Sequence, residues 1–241
     1  MTLHMLKLEP KMDRLVRWAG GRGLLPRRGE DDLGYALHAV LKAAFGEFAP
    51  KPFALQRDPG RAALLAYSAH APDALREHAA AFAEPDVAEA LGLANMATKP
   101  MPDRFPASRR LGFTVRVRPT VRTDRDGDRT RVREVDAFLA AVTGTPPGGG
   151  PERGAVYRDW LARHLAAGGA EPERLALDGF RLSGTQRRGS DRALHSLRRG
   201  PDALFSGVLR VVDPDAFAAL LARGVGRHRA FGYGMLLLRP A

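Results

Sequence analysis

Apolar residues follow two short-range patterns along this chain, and the two alternate in the same order twice. Thr2 to Glu9 alternates as a strand does. Either Asp31 or Asp32 suits the N-cap of a helix in which Leu33, Leu37, Val40, Leu41 and Ala44 recur every three or four residues as far as Phe45-Gly46. That spacing gives one core-facing stripe, with Tyr35 and His38 lying off its centre. Phe53 to Arg57 and Ala62 to Tyr67 are short apolar runs around Asp58-Pro59-Gly60, the chemistry of a hairpin turn. Pro72 opens a second helix that reaches Phe82, and Val87 to Ala97 fits either helix or strand.

Met101 to Ser108 is rich in proline and turn formers, which marks a linker and predicts domains over 1–107 and 108–241. The second half repeats the first. Leu111 to Arg118 alternates, Val156 to Ala167 has helical spacing, Leu175 to Leu182 and Leu204 to Val212 read as strands, Pro214 to Arg223 is helical and Met235 to Leu238 is apolar. The order β-α-β-β-α-β defines the split βαβ unit, of α+β class, in which two helices cover one face of an antiparallel sheet. Two copies fill the chain. The fold alone licenses no function.

Charge narrows the field. Lys and Arg total 38 against 27 Asp and Glu, a formal net charge of +11, and the excess is mostly arginine. A guanidinium grips phosphate with two parallel donors and stacks on bases, so nucleic acid is the leading partner, with the arginine bias of a GC-rich genome as the alternative. The absence of cysteine excludes a disulfide frame and any thiolate metal site. The N-terminal segment lacks the apolar core of a signal peptide, and no uncharged stretch approaches the ~20 residues of a membrane span, so a cytoplasmic protein with no membrane partner is expected. Asp124-Arg125-Asp126-Gly127-Asp128 looks like the start of a calcium loop but lacks the closing glutamate, and reads better as a polar loop. No metal and no cofactor are expected.

The sharpest motif is the run from Gly224 to Gly234, Gly-Val-Gly-Arg-His-Arg-Ala-Phe-Gly-Tyr-Gly, between the last helix and the last strand. Glycine lets backbone N–H groups approach an anion closely, and Arg227 and Arg229 would add charge-assisted contacts. Phe231 and Tyr233 can stack or pack. It is neither a P-loop nor a dinucleotide fingerprint, because no Gly-Lys-Ser/Thr follows and the glycines close a helix instead of opening one.

This G-x-G-x-x-x-A-F-G-x-G run before an apolar strand resembles the C-terminal glycine-rich loop of the RAMP superfamily. With Tyr35-Ala36-Leu37-His38 on the helix after the first strand, the chain is similar to CasE, the CRISPR RNA-processing endoribonucleases of type I-E systems. The resemblance implies two tandem ferredoxin-like (RRM-like) domains. It also implies metal-independent cleavage of CRISPR repeat hairpin RNA at the hairpin base, with the product kept among Cascade protein subunits. The segment Pro10 to Glu30 is longer than in these relatives.

Metal-free RNA cleavage needs a base for the 2′-hydroxyl proton or an acid for the leaving 5′-oxygen, and an imidazole near neutrality serves either need. His38 takes that role here, and Tyr35, one turn earlier, would bind the scissile phosphate or orient the nucleophile. His228 ranks second, as another proton-transfer group or an RNA contact. RNA binding is expected from Arg187, Arg188, Arg192, Arg198 and Arg199 in a basic connection between two strands, from Arg116 and Arg118 on one strand face, and from Gly224, Gly226, Arg227, His228, Arg229, Gly232 and Gly234. The alternative from another class is a catalytically silent RNA-binding subunit that shares the fold and the loop.

Overall fold

The computed structural model describes residues 2–25, 32–123, 133–144, 150–188 and 194–241, with all their side chains except those of residues 133, 185–188 and 194–198. The first unit runs β1 (His4–Leu8), α1 (Met12–Gly21), α2 (Gly34–Phe45), β2 (Phe53–Asp58), β3 (Arg61–Ser68), α3 (Pro72–Phe82), α4 (Pro85–Leu91) and β4 (Ala97–Pro100). Its antiparallel sheet has the order β2-β3-β1-β4. After β5 (Arg110–Val117) comes a ribbon of β6 (Thr120–Thr123) and β7 (Arg133–Asp136), then α5 (Ala137–Val142). The second unit continues with α6 (Arg153–Ala166), β8 (Ala170–Arg188), β9 (Leu194–Val211), α7 (Pro214–Arg223) and β10 (Leu237–Pro240), in the order β10-β5-β9-β8. Setting the ribbon aside, the two strand orders are the same, with the hairpin at one edge and the first strand between the third and the fourth. The protein is two tandem ferredoxin-like units.

The sequence pattern explains which faces are buried. In β1, Leu6 and Leu8 are fully buried while Lys7 between them is not. In β5, Phe113, Val115 and Val117 face the core, and Thr114 and Arg116 face the other way. Ala36, Leu37, Val40, Leu41, Ala44 and Phe45 seat α2 on the first core. Each large side chain so buried contributes about 1.5–3 kcal/mol. Prolines that cannot donate an N–H start α3 and α7 at no cost, and Asp213 accepts from the N–H groups of Asp215 and Ala216 at 3.0 Å as the N-cap of α7.

Several elements differ from the sequence reading. Helix α1 lies inside the Pro10 to Glu30 segment; Leu15, Trp18 and Ala19 bury its inner face, which the surrounding glycines and arginines obscured. Val87 to Ala97 is shared between helix and strand, as α4 and then β4. The ribbon and α5 interrupt the second unit without an expected counterpart. The hairpin strands are far longer than their apolar runs, because the ladder continues past Ser183↔Gly200 to Arg188↔Leu194 through residues with no apolar alternation. The last strand starts two residues late, since Met235 and Leu236 pack into the second core before pairing begins.

The two units meet closely. Tyr67 of β3 belongs to the second core, and its hydroxyl donates to the Leu236 carbonyl at 2.9 Å. Between β2 and the second sheet lies a cleft of about 1140 Å³, lined as well by the start of α2 and by Phe231 and Gly232.

Candidate active site

The helical period that buries one stripe of α2 leaves another outside. Tyr35, His38 and Lys42, spaced three and four apart, share that outer stripe. Tyr35 and His38 are half-buried, with ring centroids 6.4 Å apart. The ring of Phe231 faces both. It is stacked on Tyr35 at 6.1 Å and 30°, and stands edge-on to His38 at 5.3 Å and 75°. Among the described residues, no hydrogen bond occupies either imidazole nitrogen of His38. Burial holds its pKa below the ordinary 6.5, and the charges of Lys42 and Lys51 push the same way. The neutral imidazole that results at pH 7 can accept a proton.

The start of α2 is fixed from the far end of the chain. The helix begins at Gly34, later than the sequence suggests, and Asp32 Oδ1 accepts from the Gly34 N–H at 2.9 Å. Asp32 Oδ2 accepts from the Tyr233 hydroxyl at 2.9 Å. The Asp32 side chain is only 3% exposed, so the carboxylate is held by these donors and by Arg116 at 3.8 Å. Asp31 lies outside the described residues.

The glycines of the loop are packed against protein, while Arg227 is exposed and His228 to Phe231 are partly buried, so the glycines themselves do not form an open anion cradle. A Cβ at Gly226 would come within 2.7 Å of the Trp160 ring, and one at Gly234 would overlap the Val225 carbonyl. Gly224 abuts Pro52 and Gly232 abuts Phe53. Gly234, at φ 79°, donates to the Arg116 carbonyl at 2.7 Å, while Val225 donates to Gly234 at 2.8 Å. Glycine is needed here for close chain approach. Arg229 donates to the Arg223 carbonyl at 2.8 Å.

His228 is tied down where His38 is open. Its Nε2 lies 3.1 Å from both Glu134 oxygens, and Arg227 stands 3.3 Å from the same carboxylate. Burial alone would raise the Glu134 pKa. Hydrogen bonds from His228 and Thr120 outweigh it, with the charges of His228 and Arg227, and bring the group to about 2.

Of the two strand arginines, Arg118 needs correcting, and Arg116 is partly exposed but engaged within the protein. Arg118 is 4% exposed and donates to the Ser183 carbonyl at 3.1 Å, so it is an internal brace and not an RNA contact. Arg116 makes two 2.7 Å bonds to Asp202, donates to the Tyr233 hydroxyl at 3.1 Å and lies over that ring. Arg181 adds a 2.8 Å bond to Asp202, and burial of this carboxylate is outweighed by the two arginines, which keep its pKa low. The alternation of β5 was legible, but it did not reveal that Ser183, Asp202 and Tyr233 of the same unit take up the arginines of its helix-free face.

Arg199 is exposed, whereas Arg192 lies outside the described residues and Arg187, Arg188 and Arg198 are described only as hairpin backbone. The Asp124 to Asp128 loop is also outside them. Lys42, Lys51, Asp32 and Glu134 join the site without having been singled out for it. Lys42 was readable from its i+4 spacing to His38, while Lys51 and Glu134 arrive through tertiary contacts that leave no local pattern. Among the described residues, no helix is long and apolar enough to cross a membrane.

These features define a tandem ferredoxin-like protein whose C-terminal loop closes on a helix of its first unit. A family model described as CRISPR associated protein matches residues 3–240, and the chain belongs to that family. Its fold is similar to that of the CRISPR endoribonuclease Cse3 bound to a 19-nucleotide RNA, with a TM-score of 0.65, 22% identity and 100% of each chain covered. Thermus thermophilus Cse3, bound to an RNA representing a pre-cleavage complex, gives 0.62 and 21% over 100% of both chains. The CRISPR-associated protein Cas6e from Escherichia coli str. K-12 gives 0.54 and 18%, again over 100% of both. No curated protein matches the chain. The resemblance first carried by the Tyr-x-x-His helix and the glycine-rich loop is borne out in family and fold.

Proposed function

We propose that the chain is a metal-independent endoribonuclease that cuts CRISPR repeat hairpin RNA, and that it keeps the product as a subunit of a type I-E Cascade complex. The observation that carries this reading is His38: an imidazole free of hydrogen bonds among the described residues, with a lowered pKa, on a helix face shared with Tyr35 and Lys42. Family membership and the likeness to RNA-bound Cse3 support it.

His38 takes the proton of the 2′-hydroxyl, whose oxygen attacks the adjacent phosphorus. The bond from phosphorus to the 5′-oxygen breaks, and that oxygen takes a proton from water as it leaves. The products are a 2′,3′-cyclic phosphate and a 5′-hydroxyl. Tyr35 hydrogen-bonds the scissile phosphate, and the lysine charges favour its approach. The first unit, over residues 1–107, supplies the chemistry, and the second, over 108–241, grips the stem through the basic hairpin that carries Arg187, Arg188, Arg192, Arg198 and Arg199. Phosphate contacts of this kind weaken steeply with salt, by about 0.7–0.9 in log K per log unit of salt for each phosphate neutralised.

The test is incubation of the purified chain and its His38→Ala variant with a hairpin repeat RNA in EDTA, reading both binding and end groups. One cut with a cyclic phosphate end, lost in the variant while binding persists, is the expected result. Tight binding without a cut overturns the enzyme reading in favour of a silent subunit, and no preference for the hairpin returns the arginines to genome bias.

A further inference from the structure

We propose that Phe231 is a positioning residue for the cutting site, its ring setting the orientations of Tyr35 and His38 before RNA arrives. The proposal rests on the reading of His38 as the proton-transfer group.

An imidazole without hydrogen bonds turns about its side-chain torsions unless packing stops it. At His38 the edge-on contact with Phe231 does so, and the stacked contact fixes Tyr35 from the same ring. Phe231 belongs to neither hydrophobic core cluster and is only partly buried, so the ring is not there to fill the interior. Its backbone is clamped where it meets α2. Gly34 lacks the Cβ that would overlap the Phe231 carbonyl, and the Tyr233 hydroxyl reaches Asp32, which also holds the Gly34 N–H. The two clamps, at the Phe231 carbonyl and two residues further on, set the place of the ring relative to the first turn of α2. A group held this way spends no binding energy of the RNA on its own alignment.

The experiment uses the full chain with Phe231→Leu, Phe231→Tyr, Gly34→Ala and His38→Ala. It reads single-turnover cleavage at saturating hairpin RNA, the dissociation constant, and the NMR signals of the His38 ring protons, which the edge-on aromatic ring displaces. Phe231→Leu and Gly34→Ala should cut about 10- to 100-fold more slowly at unchanged affinity. Phe231→Tyr should restore most of the rate, and the His38 signals should move in the leucine variant and return in the tyrosine one. Wild-type cutting by Phe231→Leu, with His38→Ala inactive, sinks the positioning role and spares the nuclease reading. Equal loss of affinity and rate makes Phe231 a base-stacking or folding residue and overturns the proposal, as does failure of tyrosine to rescue. If the wild-type chain does not cut, the nuclease reading fails first and takes the proposal with it.

Discussion

Helices α2 and α6 occupy the same place in the two units, each following the first strand of its sheet, and each carries a histidine on its outer side. On α6, His164 is satisfied: its Nδ1 donates to the Trp160 carbonyl at 2.8 Å and its ring lies 3.9 Å from that of Trp160. The first turn of α6 is closed too, with Arg153 donating to Asp136 at 2.9 Å and to the Tyr157 hydroxyl at 2.8 Å. On α2 the imidazole has no such hydrogen bond among the described residues, and a ring from the other unit, that of Phe231, stands edge-on to it. A duplicated scaffold therefore keeps one copy internally complete and leaves the other to be finished by its neighbour. Chemistry belongs where side chains are unsatisfied, and stability where they are not.

The sharpest break in this comparison is substitution of each histidine in turn. His38→Ala should reduce the cleavage rate by about 10²–10⁴-fold, the usual worth of a positioned acid or base, whereas His164→Ala should leave it unchanged in the same single-turnover assay. Next comes the polar seam of the second unit, which has two arginines on one nearly buried carboxylate. Asp202→Ala should cost about 2–3 kcal/mol in urea unfolding; Arg181 is 51% exposed on its side chain, so the loss falls short of the ~3–5 kcal/mol for a fully buried pair.

Glu134 gives a weaker, pH-dependent signature. Its folded pKa of about 2 lies below its ordinary 4.5, so its stabilising effect is complete above pH 4.5 and is lost as pH falls from there towards 2. Thermal melts of Glu134→Gln should therefore fall less across that window than those of the wild type. The smallest effect concerns His38 itself: an NMR titration of the free protein should place its midpoint below 6.5, and Lys51→Gln should move that midpoint upward.

Much of this architecture was legible because burial in each unit obeys one period per element. The ranges of α3 and α7, both opened by proline, were read to the residue. Helix α1 was missed because Gly20, Gly21 and the arginines around it read as punctuation, although Leu15 and Ala19 keep helical spacing. That Tyr35 and His38 share one outer face of a helix was legible through their spacing. The inward turn of Arg118 was not, since a strand pattern tells one face from the other but not what covers it. Nor could the sequence show that the glycines of the loop admit Trp160 and a neighbouring carbonyl. That crowding comes from elements distant in the chain.

The bond between Asp32 and Tyr233 spans 201 positions, and this separation sets an order of events during synthesis. Domains fold as they emerge, at roughly 5–20 residues per second, so α2 can be in place about 10–40 s before the ring that faces His38 has been made. On a growing chain the histidine is therefore present before Phe231 can pack against it. On the proposed reading of these two residues, cutting begins only once the glycine-rich loop has docked.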